Sequence, residues 1–517
     1  MRAILAWYAI LLIECKKGCC RLPVKKILCL TAMIIGILVI HLPFFGYAQK
    51  NTNSNTTLSL HDAIMLTLRD NPDLQSTELN RVTQKYALIV AKNQFQLKYT
   101  LSGAATQTWS KTNEQWGTHS LTYSASPTIS LKNSYGTQFT LASANPSTYH
   151  GTYNPTLTLT VVQPLIKGFG REVVQKALND ALDSETSNIL TMKDTIVQQV
   201  KTVITDYLTV IKNQESVNID NLALKNYQTT AKNTQALIDA GQSPAQDIIQ
   251  AQTSIASQKT TLQSDINTLN TSKNTLFNDL GLPNDANIVL PTKIDYDSAI
   301  TQLTGNQSLP SQQNAQTLAL ASNLSYHTQT IALKSLQRAL LVARDNRRWQ
   351  LDLTTTLARG GGSSTDSRDQ GIESILNGRN HNETMGLALS IPINDVSSQS
   401  DLLNAKIALD QAIIALEEQK IKAESNVINS RNNLISSQKQ LQYARQTLAL
   451  QQKTVNISNI KYAAGLISSF QLLTEQNSLV TDQQTLSNSI IAYITSLVDF
   501  NYQTGVSLER WGLALRI

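Results

Sequence analysis

The chain has few cysteines, and their placement matters more than their number. All four (Cys15, Cys19, Cys20, Cys29) fall in the first 29 of 517 residues. Residues 49–517 therefore have no disulfide, no thiol nucleophile and no cysteine-ligated metal. Beyond residue 48 there is no run of eighteen apolar residues, which excludes a helical membrane span there. A membrane protein built from that part must be a β-barrel, the only other structure that satisfies its backbone in lipid. Charge is low at 15%, so the chain is unlike a disordered acidic or basic tail. The six histidines (His41, His61, His119, His150, His327, His381) are scattered, with no partner at metal-ligand spacing. Gly360-Gly361-Gly362 is not followed by Lys-Ser/Thr, so a phosphate loop is unsupported, and no catalytic constellation stands out. Asp366, Asp369 and Glu373 match no known cation loop and read as a solvated segment.

The start reads as a targeting segment. Lys25 and Lys26 precede an apolar run from Ile27 to Phe45, and Gly46-Tyr47-Ala48 predicts cleavage after Ala48, making 1–48 a signal peptide. Six of the 43 Lys+Arg and one of the 37 Asp+Glu lie in it, leaving 37 basic against 36 acidic residues. The basic pI belongs mostly to the leader and gives no case for nucleic acid.

What is there is a repeat. "ALIDAGQSPAQDIIQAQ" is centred on Gly241 and "KYAAGLISSFQLLTEQ" on Gly465, and each is followed forty residues later by another glycine, Gly281 and Gly505. Upstream, Ala63, Leu66, Asn71, Ala87 and Val90 recur at one constant offset as Ala315, Leu318, Asn323, Ala339 and Val342. Such self-similarity determines the architecture before any single motif does.

After a flexible 49–57, the first repeat spans 58–283: helices over 58–98, with Asn71 as N-cap and Pro72 at N1, strands over 99–163, and a long helical hairpin over 171–281. Arg171 to Leu237 contains neither Gly nor Pro, which predicts a helix about 100 Å long. Ser243 is expected to cap the return helix, with Pro244 at N1. A linker over 284–311 leads to the second repeat, 312–510: helix 312–349, strands 350–392, hairpin 398–501 with Ser468 or Ser469 as cap, and then 511–517 as the C-terminal end. The strand segments alternate with period two, as in "TYNPTLTLTVVQP", at lengths that cross a bilayer when tilted. The first copy has about 24 more residues in this region than the second, one added hairpin within 111–150.

The order helix, strands, very long hairpin, twice over behind a signal peptide, resembles the TolC family of outer membrane efflux proteins. "LHDAIMLTLRDNPDL", "TLTLTVVQPLIKGFGRE", "LALSIPINDVSSQSDLLNAKIALDQA" and the two glycine-centred tips carry the likeness over residues 58–515. The resemblance implies a mixed α+β membrane protein and a homotrimer. Four strands per protomer would form a twelve-stranded outer membrane β-barrel, continued by a periplasmic α-helical barrel. It implies an exit duct without cofactor, joined through a periplasmic adaptor to an inner-membrane pump of RND, ABC or MFS type, for drugs, toxic small molecules or exported protein. By position, the adaptor would dock on Gly241, Gln242, Ser243, Gly465, Leu466 and Ile467. Asp247 and Tyr462 stand where family members latch the closed tip, whereas Ile467 replaces the latch arginine and Gln471 and Thr474 replace the carboxylates that ring the lumen. Glu475, Phe470 and Leu472 are further candidates for narrowing it. The rival reading is a periplasmic coiled-coil structural or adhesin protein without a pore.

Overall fold

The computed structural model describes residues 57–510 apart from 110, 113–114, 117–119, 149–152, 284–287, 292–295, 305–308, 362–372, 374 and 378–379. The expected signal peptide, the 511–517 end and the Asp366/Asp369 segment lie outside the described residues.

Each repeat opens with two short helices. These are α1 (Leu60–Asp70) and α2 (Pro72–Asn93) in the first, and α7 (Gln312–Ser322) and α8 (Leu324–Asn346) in the second. The breaks fall where sequence places them. Asn71 Oδ1 accepts from the backbone N–H of Asp73 and Leu74 with Pro72 at N1, and Asn323 caps α8 in the same way. Helix α2 then runs into strand β1 (Lys98–Thr108) and α8 into β7 (Gln350–Gly360).

The first repeat continues through β2 (Lys111–Thr112), β3 (Gln115–Trp116), β4 (Ser120–Lys132), β5 (Gln138–Thr148) and β6 (Thr156–Pro164); among the described residues the second adds only β8 (His381–Ser390). Six of these form one antiparallel sheet in the order β1-β4-β5-β6-β7-β8. Among the described residues this sheet has six strands, where the resemblance implies four per protomer in the barrel. The additional residues of the first repeat form the full-length pair β4–β5 inside the sheet, so β1 pairs with β4 where it would otherwise meet β6. The turn between them is built against the strand–helix junction. Asn133 Oδ1 accepts from the N–H of Tyr135 and Thr137 at 2.9 Å, and Thr137 Oγ1 donates to Gln163 at 2.5 Å. Gly136 (φ 102°) lies where a Cβ would stand 2.6 Å from the Gly168 carbonyl oxygen.

Register gives the sheet two unlike faces, because directly paired residues share a side. One face carries Tyr99 opposite Ile129, Leu131 opposite Phe139, Leu141 opposite Leu159, and Leu351 and Leu353 opposite Leu389 and Leu387. The other carries Thr100 opposite Thr128, Ala142 opposite Thr158, Thr160 opposite Thr356 and Thr354 opposite Gly386.

From the sheet the chain descends into helices. After β6 a short α3 (Arg171–Val174) breaks at Gln175 (φ −89°, ψ 6°), where an unbroken helix was expected, and α4 (Lys176–Asp239) follows with 64 residues. It returns as α5 (Asp247–Asp279); a small α6 (Tyr296–Thr304) lies in the linker. The second hairpin is α9 (Val396–Ala463), 68 residues, and α10 (Ser469–Gln503), followed by α11 (Ser507–Arg510). At 1.5 Å per residue α4 and α9 are each about 100 Å long. No described helix is long and apolar enough to cross a membrane.

Near the sheet the wall is α2–α4–α8–α9, and farther down α5–α4–α10–α9. Ion pairs fasten the upper level. Arg81 of α2 grips Glu185 of α4 at 2.6 and 3.0 Å, and Arg338 of α8 reaches Asp180 and Asp183 of α4. The main core sits at mid-height, where Ile204 and Leu208 of α4, Leu303 of α6, Val427 of α9 and Ile494 and Leu497 of α10 pack around Ile64. A second cluster joins Val203, Tyr207 and Ile211 of α4 to Leu276 and Phe277 of α5. The third, nearest the tips, contains only Ala223, Tyr227, Ala251 and Leu473. Threonine hydroxyls bond the carbonyl four residues back, as at Thr186, Thr191, Thr205 and Thr209, which lets polar helices form a wall one helix thick.

Candidate functional site

Both tips end their outgoing helix with the same hydrogen bonds. The N–H of Gln242 donates to Leu237 O at 2.8 Å with Gly241 at φ 73°; that of Leu466 donates to Lys461 O at 2.9 Å with Gly465 at φ 70°. This is the Schellman stop, which needs a residue in the left-handed region. A Cβ at either glycine would meet nothing within 4 Å, so backbone handedness alone requires glycine here. The return helices differ. Ser468 caps α10, accepting from the Gln471 N–H at 3.3 Å. Ser243 does not cap α5: residues 243–246 form an extra turn, the helix starts at Asp247, and the Ser243 hydroxyl donates to Asp247 Oδ2 at 2.9 Å. Proline at 244 and the carboxylate at 247 favour that local loop over the expected cap.

The presumed latch residues have other partners. Tyr462 is buried, and its hydroxyl lies 2.8 Å from Thr234 Oγ1 of α4. Within the chain Asp247 is held by Ser243 and Tyr462 meets Thr234, rather than the two meeting each other. A ladder continues upward from it: Thr234 to the Thr230 carbonyl at 2.8 Å, Thr230 with the Gln476 side chain at 3.2–3.3 Å, and Tyr227 with Asn477. Thr230, Thr234, Tyr462 and Gln476 are all buried, so these bonds tie α4 to both helices of the second hairpin across a dry seam. Sequence reasoning missed Thr230, Thr234 and Gln476. Their only local sign is a Thr-x-x-x-Thr spacing on α4.

The remaining site residues divide by exposure. Gln242, Leu466, Phe470, Gln471 and Thr474 are exposed. Leu472, a candidate for narrowing the lumen, is instead packed inside the protomer at 2% exposure. Glu475 accepts from the Gln451 side chain of α9 at 2.9 Å, so its charge is held within the second hairpin. The exposed members of this set are therefore neutral, with Ile467 half-buried where the latch arginine would stand, while Asp239 and Lys461 bring exposed charge beside the two turns.

Two acidic contacts higher on α4 add an electrostatic feature. Burial, followed by a hydrogen bond with Asp279 of α5, pushes the Asp206 carboxyl up to about 7. Asp220 is raised to about 6, first by burial and then by Asp265, against hydrogen bonds from Gln258 and Gln484. Among the described residues no group of His, Cys, Asp or Glu would hold a metal ion.

Comparison with known proteins bears on this arrangement. Residues 315–499 match the family described as outer membrane efflux protein. No curated protein matches the chain in sequence. In fold it is similar to the transmembrane channel CusC (TM-score 0.65, 17% identity, covering 88% of this chain and 95% of that one). It is also similar to the open state of the outer membrane channel MtrE of Neisseria gonorrhoeae (0.64, 16%, 88% and 90%) and to the outer membrane protein VceC of Vibrio cholerae (0.64, 14%, 86% and 96%). The second repeat thus matches the outer membrane efflux protein family in sequence, and the fold of the chain is similar to that of these outer membrane channels over both repeats.

Proposed function

We propose that three copies of this chain form the outer membrane exit duct of a tripartite efflux or type I secretion system. The duct would lead drugs, toxic small molecules or exported protein from an inner-membrane pump to the exterior. One observation carries this reading: the sheet has one apolar face and one Ser/Thr/Ala face, and it continues into a wall of polar helices one helix thick. An apolar face toward lipid and a polar face toward a lumen is the pattern of a transmembrane β-barrel. A periplasmic coiled coil without a pore would leave that apolar face with nothing to cover it.

The tips are the natural gate and docking point. The turns at Gly241, Gln242, Ser243 and at Gly465, Leu466, Ile467 would receive the adaptor. The seam through Tyr462, Thr234, Thr230 and Gln476 would hold the closed arrangement, and docking would shift the closed–open population toward open. Asp247, Gln471, Thr474 and Glu475 line or buttress the same end. In this reading the inner-membrane pump supplies the energy.

The test is single-channel recording from purified oligomer in planar bilayers. Discrete conductance that rises when the seam is cut supports the duct. Outer membrane trimers that conduct neither as wild type nor as seam variants sink it.

A further inference from the structure

The six-stranded sheet ends in two open edges. Strand β1 is exposed along all 11 residues and β8 along all 10, and neither pairs with the other. An unpaired edge cannot face hydrocarbon, because its N–H and C=O groups find no partner there. Six strands are also too few to close around a water-filled lumen. The edges run in opposite directions, since β1 leaves the helices and β8 returns to them with an even number of strands between. A second copy of this chain therefore fits the edge, its β8 continuing the antiparallel ladder beside β1.

Resting on the trimeric duct reading, we propose that all six strands of each protomer enter the wall, so that three copies close an eighteen-stranded barrel wider than twelve strands allow. Two observations carry this. The apolar face is unbroken through β4 and β5: Tyr99 faces Ile129, Ile129 faces Leu141, and Leu141 faces Leu159. A pair lying outside the wall would interrupt it. The β4–β5 turn is also pinned to the strand–helix rim by Thr137–Gln163, by the Gly170 N–H donating to Tyr135 O at 3.3 Å, and by the close approach at Gly136.

Strands about 4.8 Å apart and tilted about 40° take roughly 6.3 Å each around the circumference. By the same spacing an eighteen-stranded barrel has a backbone diameter of about 36 Å, against about 24 Å for twelve. Its outer end admits correspondingly bulkier cargo.

Residues 49–517 lack cysteine, so engineered pairs report without background. Ser102→Cys in β1 is combined in turn with Thr384→Cys, Gly386→Cys and Ala388→Cys in β8 of the full-length chain, with Cys15, Cys19, Cys20 and Cys29 replaced by alanine. The purified protein in lipid nanodiscs is imaged by electron cryomicroscopy. Disulfide-linked trimers from at least one pair, together with eighteen strands in the wall, are expected. Twelve strands overturn the proposal: with β4–β5 outside the wall of a conducting trimer the duct reading stands, whereas two copies of six closing the wall would overturn the trimer as well. No β1–β8 cross-link at any pair also overturns it. Absence of both oligomer and pore removes the duct reading with it.

Discussion

Replacing Gly281 and Gly241 by alanine separates two costs that usually come together. Both glycines end a long helix with the same Schellman bonds, at φ 68° and φ 73°. An L residue in that region costs about 1–2 kcal/mol, offset by about 0.4–1 kcal/mol from a stiffer unfolded chain. At Gly241 nothing else opposes the methyl group, so Gly241→Ala should cost about 0–1.6 kcal/mol. At Gly281 a Cβ would stand 2.1 Å from the Asp70 carbonyl oxygen, a backbone atom that cannot rotate away. The adjoining joint is fixed too, because Asn71 caps α2 and donates to Asp279 O at 2.7 Å. Forcing backbone apart in a packed joint adds about 1–3 kcal/mol, and disturbing the cap about 1 more. Gly281→Ala should therefore be less stable than Gly241→Ala by about 2 kcal/mol or more. Denaturant unfolding of the two full-length variants in the same detergent reads the difference directly. Equal midpoints would refute the assignment of Gly281 as a packing joint. Gly505 supplies an independent repeat, since its Cβ would meet the Ser322 Cβ at 2.1 Å.

Cutting the seam at Tyr462→Phe removes one buried neutral hydrogen bond, worth about 1 kcal/mol. The open population in bilayer recordings should rise about fivefold, and an unchanged open probability would remove Tyr462 from the gate. Arg81→Met strands Glu185 beside α2 and should cost about 3 kcal/mol, with most of it recovered in Arg81→Met/Glu185→Leu; a double-mutant cycle in thermal unfolding measures this. For Asp206 the folded-state pKa of about 7 lies above the unfolded value near 3.8. The folded protein thus binds the proton more tightly, and this contribution is complete below the unfolded value and is lost as pH rises through about 7. Melting temperature should rise between pH 8 and pH 5.5, and Asp206→Asn should flatten that rise.

Much of the fold is local enough to be legible in the sequence. Asn71-Pro72 and Asn323 start helices because their side chains bond N–H groups two or three residues away. Gly241, Gly281, Gly465 and Gly505 end them because each supplies a positive φ. Period-two alternation marked β4, β5 and β6, and the constant offset between repeats marked α1–α2 and α7–α8 as equivalents. The same reasoning failed at Ser243, where two local arrangements compete and Asp247 draws the hydroxyl away from the cap.

The candidate site was only half legible, for a physical reason. Glycine turns and cap residues act within one helical turn, so sequence alone determined the tips, the repeat and the length of the long helices. Tyr462 and Thr234 are 228 residues apart, and their meeting depends on how two helices of more than sixty residues rotate and slide against each other. No local periodicity fixes that angle; cores such as Ile204–Leu208 against Val427 and Ile494 do. The strand count has the same origin. Alternation showed that β4 and β5 are strands, but only tertiary pairing decided that they separate β1 from β6 and widen the sheet to six.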